Sequence, residues 1–408
     1  MVNPTPSSRR SHLIATGLAL LIASAAIVTG IVRCKDMENH YIHALAPEFY
    51  DVKLQGVALQ KEAFAQPDLL VLYGSSELVR DVPNNAIQFF KDYPTGFGVF
   101  PVGKPGATSL SILQKIAAVG SDLRGKRVAI SLSPGWFFTK EFDPKYYEGN
   151  FSELQASELA FSSQISPDLK RDVARRMLAY PKTYNRRSLL KFALMRLAGD
   201  SFLDHCLYWI SWPLGKVHNA IGRAQDHLEV ALHILDEDDA LDAAISSTEP
   251  SHRAKGLNWG DILKRAARFA NNTALQAKRN EVARRHLPRA SRDKVFLQTM
   301  ETATEWTDVE LLMRTVKELG GEPLFLSMPI EDIRLEVYGL SPEARTAYME
   351  RIGGLANHYG IPLLDFHEYQ RDPNFLNDFL DHLSGKGWLY YNKALDDFFH
   401  GPPTETSL

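Results

Sequence analysis

Residues Leu13 to Val32 read LIATGLALLIASAAIVTGIV, 20 consecutive positions without a charge. As a helix rising about 1.5 Å per residue, the run reaches roughly 30 Å, the thickness of a bilayer's hydrocarbon core. Arg9 and Arg10 precede it and Arg33 and Lys35 follow it, so flanking charge alone does not orient it. A short tail (1–12) ahead of a long domain favours an N-in, C-out arrangement. A cleaved signal peptide is the rival reading, because Ala23-Ser24-Ala25 resembles a small-residue cleavage site. The apolar stretch runs well past that site, longer than a signal needs. Cys34 follows Ile31-Val32-Arg33, which lacks the small residues of a lipoprotein box. The expectation is a single-pass anchor over 13–32 in the cytoplasmic membrane, a cytoplasmic tail, and one exported domain from about residue 36, on the periplasmic or cell-wall side.

Beyond the anchor the composition is that of a globular chain. The 408 residues carry 46 basic and 49 acidic side chains, a formal charge of −3. That balance excludes a strongly basic nucleic-acid binder, and 45% hydrophobic residues argue against wholesale disorder. Two cysteines, Cys34 and Cys206, make neither a disulfide scaffold nor a cysteine-only metal cage. Asp236-Glu237-Asp238-Asp239 lacks the glycine-bearing spacing of a calcium loop and reads as a solvated turn. No metal and no cofactor are expected.

Three zones follow the anchor. From 36 to 145, short apolar runs alternate with helical patterns. Asp68 to Tyr73 ends at Gly74, Gly98 to Val102 ends at Gly103, and Arg127 to Leu132 ends at Ser133-Pro134-Gly135. Ser109 to Val119 reads as a helix. Short buried strands between helices imply an α/β fold with a parallel sheet. From 150 to 300 helical spacing dominates, as in 166–178, 187–198 and 261–285, and this zone reads as a helical insertion. From 305 to 401 the alternation returns. A helix over 308–319 stops at Gly320-Gly321, an apolar run covers 323–328, a helix covers 342–359, and a fifth strand covers 361–366. The basic residues from Lys170 to Arg176 and at Arg186-Arg187 are the candidate patches for an anionic polymer.

The sharpest chemical signal is Gly74-Ser75-Ser76-Glu77-Leu78, where a buried strand stops at a glycine and presents two hydroxyls. Ligands of open α/β sheets bind at the carboxyl ends of strands. A helix starting there would add free N–H groups and a positive dipole end. Either serine also fits a plain N-cap. A serine nucleophile needs a base and a group to orient that base. His382, with Asp378 and Asp381 four and one residues before it, follows the last strand on the same sheet edge. The loops Val102–Ser109 and Ser131–Phe137 also follow strands, and their backbone amides are candidate oxyanion donors. The aromatic stretch Leu207-Tyr208-Trp209-Ile210-Ser211-Trp212-Pro213 reads either as helix packing or as an interface with a membrane or partner.

Taken together, Gly74-Ser75-Ser76-Glu77-Leu78, Val102-Gly103 with Gly106, Leu132-Ser133-Pro134 with Trp136-Phe137, and His382-Leu383 with Gly387-Trp388 resemble the DltD family of D-alanyl transfer proteins. The anchor, Gly339 to Tyr348 and the ending Tyr391 to Phe398 fit the same pattern. The resemblance implies a flavodoxin-like sheet of the SGNH/GDSL hydrolase type with a Ser–His–Asp triad. It implies an extracytoplasmic transfer of D-alanyl groups to an envelope polymer, and a membrane-spanning O-acyltransferase as partner, with an acyl carrier protein as a further candidate. By position Ser76 matches the nucleophile, with Ser75 as its neighbour, and His382 matches the base. The family places an aspartate three residues before the histidine, where this chain has Phe379. Asp378 fits with one residue inserted and is preferred; Asp381 fits with a different local turn. Gly74, Gly106, Ser133 and Trp136 are the candidate oxyanion and binding residues. Gly135 stands where the family commonly has a larger polar residue, and the SGNH asparagine is absent. Oxyanion donation then falls on backbone N–H groups such as those of Ser76 and Gly106. Two rivals remain: an esterase acting on envelope glycans, and a non-catalytic adaptor for an acyltransferase.

Overall fold

The structure is a computed structural model that describes residues 6–247, 256–266, 281, 293–331, 335, 339–372, 374–377 and 382–401. Five strands form one sheet: β1 (Leu69–Gly74), β2 (Gly98–Gly103), β3 (Arg127–Leu132), β4 (Glu322–Ser327) and β5 (Leu363–Leu364). All pairs are parallel and the order is β2-β1-β3-β4-β5. This is the flavodoxin-like order, in which the winding direction reverses between β1 and β3.

The strand residues alternate between two cores. Val71, Tyr73, Val128, Ile130 and Phe325 join one, and Leu70, Leu72, Ala129, Leu324 and Leu326 join the other. Burial on both faces is why these strands read as unbroken apolar runs. The first face is covered by α2 (Ser109–Val119), α4 (Thr304–Leu319) and α5 (Pro342–Tyr359), and the second by α6 (Gly385–His400). The helix ends follow local chemistry. Thr108 and Ser111 form a capping box on α2, and Ser341 Oγ accepts from Ala344 N–H at 3.1 Å. Gly320 and Gly360 close α4 and α5 in the left-handed conformation.

The helix α1 (Pro6–Leu45) is longer than the apolar run that predicts it. It is the one described helix long and apolar enough to cross a membrane. Leu13, Leu21 and Val32 stand exposed, whereas Ile42 and Leu45 are buried in the core. Between them Glu38, 1% exposed, accepts a bond from His227 Nδ1 at 2.7 Å. His227 belongs to α3 (Phe202–Asp236), the longest of the helices inserted between β3 and β4. α3 buries Tyr208, Gly215, Asn219 and Ile234 along one face. Its opposite face leaves Ile210, Leu214, Val217, Ile221, Leu228, Leu232 and Leu235 between 53% and 75% exposed.

Two expectations change, and a third lies largely outside the described residues. The fifth strand shrinks to Leu363–Leu364, because Phe366 turns into the left-handed region at φ 48° and Asp365 bonds back to His367. The basic run at Lys170–Arg176 is no open patch. Lys170 is buried on the Ser162 carbonyl and the Tyr208 hydroxyl, Arg171 and Arg175 pair with Asp200, and Arg176 pairs with Asp308. Arg187 likewise pairs with Glu153, while Arg186 stays exposed. Of the stretch read as a helix over 261–285, residues 267–280 and 282–285 lie outside the described residues, and the described helix runs Trp259–Arg265.

Candidate active site

β1 ends at Gly74, and the chain then turns through residues 75–79 instead of entering a helix. The next helix starts at Ala86, so the expected helix N-terminus at the serines is absent. The local cause is Glu77. Its side chain folds back and Oε1 accepts the Ser75 N–H at 2.8 Å, satisfying the backbone without a helical turn. Further on, Asn84 sits at φ 63°, which any helix through that point would have to break.

The two serines have different surroundings. Ser75 is 4% exposed, with its N–H on Glu77 and its carbonyl accepting from Leu78 N–H at 3.4 Å. Ser76 is half-buried, and its Oγ lies 2.9 Å from His382 Nε2. These residues are 306 positions apart. His382, 6% exposed, sits at the end of a segment pinned by three backbone features. Leu376 and Leu383 form an antiparallel bridge, Asn377 N–H donates to the His382 carbonyl at 2.7 Å, and Ser384 N–H donates to the Phe375 carbonyl at 2.9 Å. Ser384 Oγ then caps α6 by accepting from Lys386 and Gly387 N–H. Asp378 and Asp381, the two candidate acids, lie outside the described residues.

Two asparagines that the motif reading overlooks join the halves of the site. Asn84 Nδ2 donates to the Gly385 carbonyl at 3.1 Å, and Asn392 Nδ2 donates to the Asn84 carbonyl at 2.8 Å. The serine turn and the start of α6 are thereby tied next to the Ser76–His382 contact. The Pro83-Asn84-Asn85 run before a helical pattern signals a turn in the sequence, but nothing there names its partner.

Gly106 lies in the loop after β2 at φ 82°, and a Cβ there would stand 2.5 Å from the Tyr146 ring. Both facts call for glycine. Tyr146 also packs edge-on against Trp136 at 4.9 Å, so Gly106 and Trp136 share one wall. Trp136 follows β3, with its N–H on the Ser133 carbonyl at 3.3 Å. Its indole Nε1 is buried and has no hydrogen-bond partner among the described residues. Gly74 and Gly103 are paired in register at the ends of β1 and β2. Gly74, Gly106, Ser133 and Trp136 therefore stand at the carboxyl ends of the three strands flanking the reversal point. Gly106 and Trp136 cluster around Tyr146, whereas Ser76 is bonded to His382.

Buried charge sits near both parts. Burial raises the Glu77 carboxyl above its ordinary range, opposed by the Ser75 and Glu77 N–H groups, the Ser131 hydroxyl and the His382 ring. Behind the Gly106 loop, Ser109 N–H opens α2 by donating to Glu305 Oε1 at 2.9 Å. Burial, with Asp308 adding to it, pushes Glu305 up to about 8. Arg176 holds Asp308 through two bonds of 2.7 and 2.9 Å. Among the described residues no group of three His, Cys, Asp or Glu side chains is arranged to hold a metal ion.

A flavodoxin-like sheet with a serine–histidine contact at its reversal point defines the architecture as SGNH-like α/β. The family model described as DltD protein matches residues 46–400, and the chain belongs to that family. It is similar to Protein DltD of Bacillus subtilis (strain 168), 27% identical over 398 residues, 94% of this chain and 95% of that one. Protein DltD of Staphylococcus aureus (strain NCTC 8325 / PS 47) is 22% identical over 393 residues, 95% of this chain and 94% of that one. Protein DltD of Lacticaseibacillus rhamnosus is 23% identical over 354 residues, 85% of this chain and 80% of that one.

Proposed function

We propose that this chain is a membrane-anchored, extracytoplasmic acyltransferase that moves D-alanyl groups onto an envelope polymer, a teichoic acid or a lipopolysaccharide-type glycan. The observation that carries the reading is the 2.9 Å contact between Ser76 Oγ and His382 Nε2 at the reversal point of a DltD-family sheet. In this mechanism His382 Nε2 takes the Ser76 proton as Oγ attacks the carbonyl carbon of a D-alanyl ester or thioester. Backbone N–H groups, with those of Ser76 and Gly106 as candidates, hold the oxyanion. The leaving group departs with the proton from His382, and the D-alanyl group stays as an ester on Ser76. A polymer hydroxyl then gives its proton to His382 as it attacks that ester, and His382 returns that proton to Ser76 Oγ as the acyl–serine bond breaks. Asp378, or Asp381 in its place, orients the imidazole. The α1 helix supplies the anchor, and a membrane O-acyltransferase and an acyl carrier protein deliver the acyl group.

Ser76→Ala is expected to abolish D-alanine incorporation into the polymer while the protein stays folded and inserted. Incorporation at the wild-type level would sink the proposal. The esterase alternative separates in the same assay. Net loss of polymer ester on adding the protein means hydrolysis, and net gain means transfer.

A docking role beside catalysis is favoured by the apolar stripe on α3. Ile210, Leu214, Val217, Ile221, Leu228 and Leu235 recur at steps of three, four or seven residues, the spacing at which one helix packs along another. Tyr208 is buried and Trp209 is 59% exposed, so the aromatic stretch divides between core and this surface. A helix of the acyltransferase partner fits the stripe.

A further inference from the structure

Glu77 stands beside the nucleophile in sequence and beneath it in space. It is 2% exposed, and its Oε1 accepts the Ser75 N–H at 2.8 Å. That bond spans Ser76, closing a small ring whose members are Ser75, Ser76 and the Glu77 side chain. The other bond across the turn, Leu78 N–H to the Ser75 carbonyl, is long at 3.4 Å. The carboxyl reaches its place only because residue 74 has no side chain. A Cβ on Gly74 would lie 2.4 Å from Glu77 Oε1 and 2.9 Å from Leu78 Cγ and Cδ1. The remaining polar neighbours of the carboxyl are the Ser131 and Tyr391 hydroxyls and the His382 ring.

Burying a carboxyl is unfavourable unless its partners compensate. A serine or asparagine cap would close a surface turn without that cost. The carboxyl does something a cap does not: it holds the Gly74–Ser75 peptide just ahead of Ser76, while Ser76 Oγ itself stays on His382.

We infer that Glu77 is a positioning residue for Ser76, fixing the direction of Oγ toward His382 through its bond to Ser75 N–H in the space left by Gly74. The inference rests on the reading of Ser76 as the nucleophile, and Ser76→Ala is the control for that reading.

The test uses the full chain in detergent and a fluorophosphonate probe, with the labelled residue identified by mass spectrometry. Glu77→Ala is expected to slow Ser76 labelling by about 100-fold, the loss that a misplacement of roughly 1 Å produces. Glu77→Gln keeps an oxygen that accepts the same N–H, so its rate should return to within a few-fold of wild type. Gly74→Ala leaves the carboxyl in the chain but displaces it, and should fall as Glu77→Ala does. Combining the two should cost less than the product of the single losses, because both act on the Glu77 contact while Gly74→Ala presses on Leu78 besides. Equal labelling rates for wild type and Glu77→Ala, or equally slow rates for Gln and Ala at unchanged melting temperature, would overturn the inference. If Glu77→Ala does not fold, Gly74→Ala decides, and a wild-type rate there is equally fatal. Labelling that persists in Ser76→Ala removes the nucleophile reading itself, a result distinct from any of these.

Discussion

Glu305 offers the most direct test of the buried charge behind the Gly106 loop. It is 2% exposed and gives Oε1 to the N–H of Ser109, the first residue of α2. Arg176 is committed to Asp308 through both of its bonds, so Glu305 has no cation of its own among the described residues. Its carboxyl is held protonated up to about 8 in the folded chain, against an ordinary value of 4.5. Below pH 4.5 the folded and unfolded forms are both protonated and the group has no effect on stability. As pH rises from 4.5 toward 8, the unfolded chain releases this proton and the folded chain keeps it. Unfolding is therefore favoured by about 1.4 kcal/mol per pH unit, with a ceiling of roughly 5 kcal/mol near pH 8. Glu305→Gln cannot ionise, yet its amide oxygen still accepts from Ser109. The variant should match wild type at pH 4.5 and exceed it by roughly 2 to 5 kcal/mol at pH 8. Urea denaturation of the full chain in mild detergent, followed at pH 4.5, 6, 7 and 8, measures that difference. Ionisations of groups remote from Glu305 cancel in it. A difference that stays flat with pH, or a variant weaker than wild type at pH 8, would refute the reasoning.

Other perturbations address the remaining parts. Asn392→Leu removes the bond to the part-buried Asn84 carbonyl, which should cost about 1 to 3 kcal/mol in denaturant melts and slow Ser76 labelling. Asn84→Ala removes the separate bond to the Gly385 carbonyl and leaves alanine at φ 63°, so it should add a further cost of about 1 to 3 kcal/mol. Gly106→Ala forces a side chain into φ 82° and against Tyr146, so polymer alanylation should drop by an order of magnitude or more, with about 1 to 3 kcal/mol lost in melting. Leu214→Asn with Ile221→Asn, both on the exposed stripe, should leave melting within about 0.5 kcal/mol of wild type while co-purification with the acyltransferase partner falls. Unchanged co-purification would remove the docking role.

The strands and caps are legible in the chain because they depend on neighbours in sequence. Arg127–Leu132 and Ser109–Val119 appear with the very bounds their apolar patterns indicate, and α5 begins at Ser341-Pro342 and stops at Gly360 as cap chemistry requires. The turn after β1 is misread for a reason that is also local but easily overlooked. Glu77 has the composition of a helix's first turn, and only its burial converts it from a surface acid into the closing group of a non-helical turn. The basic run at 170–176 is misread because its partners come from elsewhere in the chain, Asp200 from the loop before α3 and Asp308 from α4. The fifth strand shortens where Phe366 takes a positive φ that no apolar pattern encodes.

What the sequence by itself determines is therefore the apolar helix, the alternation of buried strands with capped helices, and the residue types available for chemistry at strand ends. Each follows from side-chain periodicity or from hydrogen bonds that close within a few residues. What only the tertiary structure decides is the strand order, the different surroundings of Ser75 and Ser76, and the meeting of Ser76 with His382 across 306 positions. Those depend on which buried faces pack together and on bonds such as Asn392 to Asn84. Such contacts form only after the sheet has brought distant segments to one edge, and no local pattern records that event.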